Sequence, residues 1–128
     1  MANNNDEEFI KINFSRKDRS THIKVRVVTF RDGEFMIAYM PSLNLSGYGS
    51  TEREAVLMLT EVVAKDYLVS LLDLSEAQVM NELRQYGWKR RPYLDKQLLN
   101  TQFLSTEKLI EDFNLPAETK FNEQYVTV

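Results

Sequence analysis

The chain has no cysteine and a single histidine, His22. The absence of cysteine excludes disulfide bonds and thiolate metal sites. No apolar run approaches the roughly 18 residues of a membrane-spanning helix. The first eight residues are polar and acidic, so residues 1–8 predict a disordered lead without the apolar segment of a signal peptide. We therefore expect a cytoplasmic protein with one domain over residues 9–128.

Motifs for nucleophilic or phosphate chemistry are also lacking. His22 lies in a Ser-Thr-His run at the start of a predicted strand, where we can identify no partner that would make it a general base. Gly47-Tyr48-Gly49 lacks the wider spacing and the following Lys-Ser/Thr of a phosphate-binding loop. The sequence thus predicts no catalytic residue, no metal site and no cofactor.

Three runs of residues predict a β-meander. Ile23 to Phe30 alternates apolar and polar side chains, which is typical of a half-buried strand. Phe35 to Met40 follows an Asp-Gly turn, and such turns supply the positive φ angles of tight hairpins. Pro41 ends this second strand because it cannot donate to a ladder. Leu43 and Leu45 alternate with polar residues and predict a short third strand.

A capped helix follows the third strand directly. Gly47 and Gly49 suit a bulge or the close approach of another backbone, and residues 51–54, Thr-Glu-Arg-Glu, read as a capping box. The predicted buried stripe of the helix is Ala55, Val56, Leu59, Val62, Val63, Tyr67 and Leu71. Four apolar residues lie off this stripe, Leu57, Ala64, Leu68 and Leu72. The helix therefore needs cover from a neighbouring helix or from a second subunit.

The rest of the chain predicts further elements of the same domain. Ser75 opens another helix with a second capping box, and Gly87 ends it in the C′ position. Trp88 is expected to fold back as an anchor onto the core. Four more segments are predicted: a strand over 9–14, short helices over 94–104 and 106–113, and a β-prone tail over 121–128. The tail completes the sheet or pairs with a neighbouring subunit.

The order of these elements, with the residues at the strand–helix junction, resembles the HicB-like antitoxin family. The residues that carry the resemblance are Tyr39, Pro41, Gly49, Thr51, Glu54 and Ala55. It covers roughly residues 23–72, with a family-like continuation at Gly87-Trp88, and implies an α+β, partially ribonuclease-H-like fold. That fold has an antiparallel sheet of three to four strands with a long helix packed on one face (β-β-β-α-β), here extended by C-terminal helices. In the family the long helix is followed closely by a fourth strand, whereas here a second helix intervenes.

Nuclease activity does not fit these residues. A ribonuclease-H-like enzyme gathers carboxylates around metal ions, one of them normally inside the first strand. Here Ile23 to Phe30 carries Lys24 and Arg26 at polar positions and no acid. The resemblance therefore implies a non-enzymatic antitoxin that binds and neutralises a small, basic toxin ribonuclease, self-associates and regulates its own operon. The residues expected to contact partners, each with core or turn packing as its alternative role, are Tyr39, Pro41, Leu43, Tyr48, Trp88, Lys89, Arg90 and Arg91.

A second class of function stays open: a stand-alone, homo-oligomeric module that binds nucleic acid or a peptide and has no toxin partner. The net charge of −3 argues against a chain that coats nucleic acid. Basic residues nevertheless cluster within 16–31 and 89–91, where they fit phosphate contacts, an acidic partner or solvated turns. The net acidic tail offers little to base edges, although paired copies could form a β-ribbon. A basic, aromatic-bearing surface opposite the helices would favour this second class.

Overall fold

The computed structural model describes residues 7–15, 17–91 and 94–128. In this part of the chain the fold is α+β, with seven strands in one antiparallel sheet and three helices. The strands are β1 Phe9–Asn13, β2 Ser20–Asp32, β3 Phe35–Met40, β4 Leu45–Gly49, β5 Trp88–Arg91, β6 Leu94–Asn100 and β7 Asn122–Thr127. Helix α1 has three consecutive segments, Glu52–Leu57, Met58–Ala64 and Lys65–Leu72. Helix α2 is Glu76–Arg84 and α3 is Thr106–Phe113.

The sheet branches along its longest strand. The strands pair in the order β4-β3-β2-β1-β6-β5, and β7 pairs with β2. Lys24 of β2 pairs with both β1 and β7, whereas Val28 pairs with both β3 and β7. Because a strand has only two edges, β1 and β3 must both lie on the edge opposite β7, one after the other. The two branches therefore separate near Arg26, in the middle of β2.

Helix α1 packs on one face of the sheet, against β2, β3 and β4. It approaches β4 so closely that a Cβ atom on Gly47 would lie 2.7 Å from the backbone nitrogen of Leu59. The predicted close approach at the glycines is therefore made by α1. Thr51 caps the helix by accepting from the Glu54 N–H at 3.1 Å, but the Glu54 carboxylate accepts from the Ser50 N–H at 2.8 Å. The expected capping box is thus shifted by one residue on its carboxylate side.

The middle segment of α1, Met58–Ala64, is π-helical. Hydrogen bonds between residues i and i+5 add about one residue to each turn. The buried positions after this segment therefore lie later in the sequence than a regular α-helix predicts. Ala64 and Leu68, predicted to lie off the stripe, are buried, whereas Val62 is 48% exposed. Part of the cover that α1 needs comes from α2, whose buried Val79 belongs to the same core. The prediction that Val62 is buried was wrong because the helical period is not constant.

Among the described residues, the second core on the opposite face of the sheet lies around the C-terminal half of β2. There Val28, Phe30 and Tyr39 pack with Leu109 of α3 and Leu115. The ring of Phe113 at the end of α3 lies 5.6 Å from that of Phe30. This second core is separate from the larger one under α1, so the two halves of β2 have different surroundings.

Several C-terminal predictions can be compared with these elements. Helix α3 and strand β7 lie where the sequence predicted a helix and a strand, and β7 pairs within the chain. The segment predicted as a helix over 94–104 instead contains β6, which pairs with β1 and β5. The sheet therefore has more strands than the three to four predicted. In the described residues, no helix is long and apolar enough to cross a membrane.

Candidate binding surfaces

Three of the eight residues predicted to contact partners belong to the interior. Tyr39, Leu43 and Trp88 are 8%, 1% and 0% exposed. The Tyr39 hydroxyl donates to Asn44 Oδ1 at 2.8 Å, and Trp88 Nε1 donates to the carbonyl of Ser42 at 2.8 Å. Core packing and the β3–β4 turn account for these three residues, and Trp88 is the expected anchor.

The other five residues lie on separate surfaces. Tyr48 on β4 is 60% exposed, and Pro41 borders a small cavity beside Arg26. Lys89, Arg90 and Arg91 lie on β5, at the far end of the strand order from β4, and Arg90 pairs with Glu76 of α2 at 3.1 Å. The structure therefore does not bring the eight residues together into one site.

Strand β4 is an edge strand flanked by exposed apolar side chains. In the described residues it pairs only with β3, and its sequence Leu-Ser-Gly-Tyr-Gly contains no charge. Tyr48 forms an edge-to-face pair with Phe35, 48% exposed, at 5.6 Å between ring centroids. On the other face, the α1 segment that contacts β4 exposes Met58 and Val62. We call Phe35, Tyr48, Met58, Val62 and the outer edge of β4 the β4 edge surface.

The backbone N–H groups on this edge can be assigned by alternation. Arg26 donates its N–H toward Glu8, on the side of β1 and β3, so Val28 and Phe30 direct theirs to β3 as well. In the following strand, Ala38 must then bond to β4, where its partner is Gly47. Ser46 and Tyr48 consequently direct their N–H groups outward. Such unpaired donors are a template for another strand.

A polar cluster fills the gap where β1 and β3 separate. Glu8 Oε2 accepts from the Arg26 N–H at 2.8 Å and from Ser42 Oγ at 2.7 Å. Burial raises the pKa of Glu8, while these hydrogen bonds and the Arg26 charge oppose the increase. Glu8 had been assigned to the disordered lead, of which residues 1–6 lie outside the described residues. Sequence reasoning missed this role because nothing local marks Glu8 as a partner of β2.

The side chain of Arg26 is buried, at 3% exposure, on the face opposite α1. Its Nη1 donates to the carbonyl of Leu104 at 2.6 Å, and its Nε lies 3.0 Å from Glu123 Oε2. Phe103 covers the guanidinium at 4.4 Å from the ring centroid and is itself 73% exposed. Arg26 thus holds Phe103 and Leu104 against the sheet. These two residues lie between the half of this face that α3 covers and the N-terminal half of β2.

The N-terminal half of the same face carries aromatic and basic side chains. Residues paired across strands point to the same side, and Phe9 pairs with Lys24 while Lys11 pairs with His22. Tyr125 shares this side because it pairs with Arg26. Each of these side chains is at least partly exposed. We call this surface, Phe9, Lys11, His22, Lys24 and Tyr125, the open sheet face.

Among residues 7–15, 17–91 and 94–128, no three His, Asp or Glu side chains are grouped so that they could hold a metal ion. Comparison of the chain with protein-family models, curated proteins and solved structures gave no match. The resemblance to HicB-like antitoxins therefore rests on the sequence alone, over residues 23–72 and the Gly87-Trp88 continuation.

Proposed function

We propose that this chain is a non-enzymatic, antitoxin-like binding protein that takes up a small basic protein at its β4 edge surface. The partner expected from the resemblance is a toxin ribonuclease, which the bound chain would neutralise. Self-association and regulation of its own operon belong to the same proposal, as does a cytoplasmic location. The observation that carries the proposal is the unprotected, uncharged edge of β4 between exposed apolar side chains.

The chemistry of this edge favours a protein partner. Natural proteins usually protect an edge strand with charges, proline or a bulge, and β4 has none of these. A partner strand could pair with the outward N–H groups of Ser46 and Tyr48, while the aromatic pair beside them adds apolar contact area. The net charge of −3 favours association with a basic partner rather than an acidic one.

The alternative is a stand-alone, homo-oligomeric module that binds nucleic acid or a peptide. Two observations favour it: a second copy could pair with β4 through the same edge, and the open sheet face is basic and aromatic. The molecules that copurify with the chain from its own cells distinguish the two functions.

The test is a native affinity purification with the tagged protein, followed by mass spectrometry of the recovered proteins. We expect a small basic protein in equimolar amount, and its ribonuclease activity should appear only after the two chains are separated. The variant Tyr48→Arg should no longer recover the small basic protein, because the added cation repels a basic partner. Val69→Arg is the matched control, since Val69 is 61% exposed against 60% for Tyr48 but lies on the last segment of α1.

Recovery of the tagged chain with copies of itself alone would contradict the toxin-binding proposal and leave the alternative. Equal loss of the partner with Tyr48→Arg and Val69→Arg would contradict the assignment to the β4 edge surface. Circular dichroism of both variants shows whether each is folded before its binding is compared.

A further inference from the structure

We propose that the open sheet face binds single-stranded nucleic acid, with bases stacked on its rings and phosphates held by its lysines. This surface lies on a different part of the sheet from the β4 edge surface, so the inference does not depend on the toxin partner. Of the basic group on β5 that the sequence singled out, Lys89 lies on this side of the sheet and Arg90 on the other.

The rings of Phe9 and Tyr125 are partly exposed, and each has a lysine ammonium group over it. Phe9 lies 5.7 Å from His22, and Lys11 Nζ lies 5.1 Å from the centroid of Phe9. Lys24 Nζ lies 6.0 Å from the centroid of Tyr125. Phe9 and Tyr125 lie on β1 and β7, two strand spacings of about 4.8 Å apart, so a base can stack on each ring when the lysine above it turns to a phosphate. Aromatic side chains on a sheet are a recurrent platform for unpaired bases, because every base has a π-face.

The lysine side chains of this face lie close to its aromatic rings. Lys11 and Lys24 lie on β1 and β2, and Lys89 joins the same side because it pairs with Leu99, the partner of Phe9. Among the described residues, two carboxylates near this face are Glu7, which lines a shallow depression with Tyr125, and Glu123, which lies against Arg26. Lys11 and Lys24 each lie beside a ring, an arrangement in which their ammonium groups can reach phosphates.

The same geometry disfavours a duplex as the ligand. The stacked bases of a duplex are not available to rings that lie flat on a sheet, whereas an unpaired strand can present them. An acidic peptide would use the lysines but has no planar bases for Phe9 and Tyr125. Because the whole chain has a net charge of −3, the electrostatic attraction of nucleic acid is confined to this face. The chain should therefore bind short strands rather than coat long ones.

The experiment is fluorescence anisotropy with labelled oligothymidine and oligouridine of about 12 nucleotides, at about 50 mM salt. We expect saturable binding of at least one strand and much weaker binding of a duplex of the same length. Tyr125→Ala should weaken binding by about 5- to 100-fold through lost stacking. Lys11→Gln with Lys24→Gln should reduce the slope of log K against log salt by about 0.7 per lost phosphate contact.

Two controls separate this proposal from loss of fold and from a general loss of positive charge. Lys65→Gln removes an exposed lysine of α1 that pairs with Glu61, and it should leave oligonucleotide binding unchanged. Fluorescence of the buried Trp88 reports whether each variant is folded. Failure of both strands to bind, preference for the duplex or for an oligoglutamate peptide, or equal weakening by Lys65→Gln would each overturn the proposal. A preference for oligouridine or oligothymidine would identify RNA or DNA as the ligand.

Discussion

The backbone N–H of Arg26 donates to the carboxylate of Glu8 at 2.8 Å, at the point where β1 and β3 part along one edge of β2. Without this bond the N–H would face the gap between two strands. The same carboxylate accepts from Ser42, whose carbonyl accepts from Trp88. One side chain, that of Glu8, thus connects both branches of the sheet to the core.

Replacing Glu8 by alanine is expected to destabilise the fold. The substitution removes the acceptor for the Arg26 N–H, and an unsatisfied donor of this kind costs about 1–3 kcal/mol. Chemical unfolding followed by Trp88 fluorescence measures the change. The control is Glu7→Ala, at an exposed neighbouring position, which should change the free energy of unfolding by less than about 0.5 kcal/mol. Equal effects of the two substitutions would contradict the role of Glu8.

The contribution of Glu8 should depend on pH. Because burial raises its pKa above the ordinary 4.5, the folded protein keeps this proton at pH values where the unfolded chain has released it. The wild-type free energy of unfolding should therefore fall, relative to Glu8→Gln, as pH rises from below 4.5 through the folded-state pKa. Urea unfolding of both proteins between about pH 4 and about pH 7 measures the difference. A difference that grows in the opposite direction would contradict the assignment.

Gly47→Ala should destabilise the packing of α1 on β4. The new methyl group would lie 2.7 Å from the backbone nitrogen of Leu59, so the helix must move away, at a cost of about 1–3 kcal/mol. Ser46→Ala, an exposed neighbour on the same strand, is the control and should be nearly neutral. Thermal unfolding by circular dichroism compares the two. A neutral Gly47→Ala variant would show that the approach is looser than the structure has it.

The π-helical segment predicts a reversal of two expected burial states. Val62→Glu should change stability by less than about 0.5 kcal/mol because its side chain is exposed. Leu68→Glu should cost more than about 3 kcal/mol because it places a carboxylate in the core under α1. The same chemical unfolding experiment measures both variants. The opposite ranking would restore the regular 3.6-residue period.

Local sequence signals predicted the meander and the helix that follows it. Strand β3 begins and ends at the predicted residues Phe35 and Met40, because its boundaries depend on a turn and a proline. The predicted capping box at Ser75 is also present, because it depends on residues that are close together in the sequence. By contrast, β6 was predicted as a helix, although it pairs with neighbouring β5 and with β1, which is distant in the sequence. A leucine pattern in one segment cannot reveal such partners.

The candidate surfaces were predicted less well than the fold. Tyr48 was identified and is exposed, but Tyr39, Leu43 and Trp88 are buried, because the sequence alone does not say which face of a strand meets a helix. The open sheet face was missed since its members come from three strands and face the same side only through their register. Alternation within β2 placed Lys24 and Arg26 on one side, which was the available signal.

Amide hydrogen exchange of the purified complex shows directly whether a small basic protein binds the edge of β4. Exchange at the outward N–H groups of Ser46 and Tyr48 should slow when the partner is bound. Residues of the open sheet face should be unaffected by this partner. Unchanged exchange along β4, with protection elsewhere in the chain, would contradict binding at this edge.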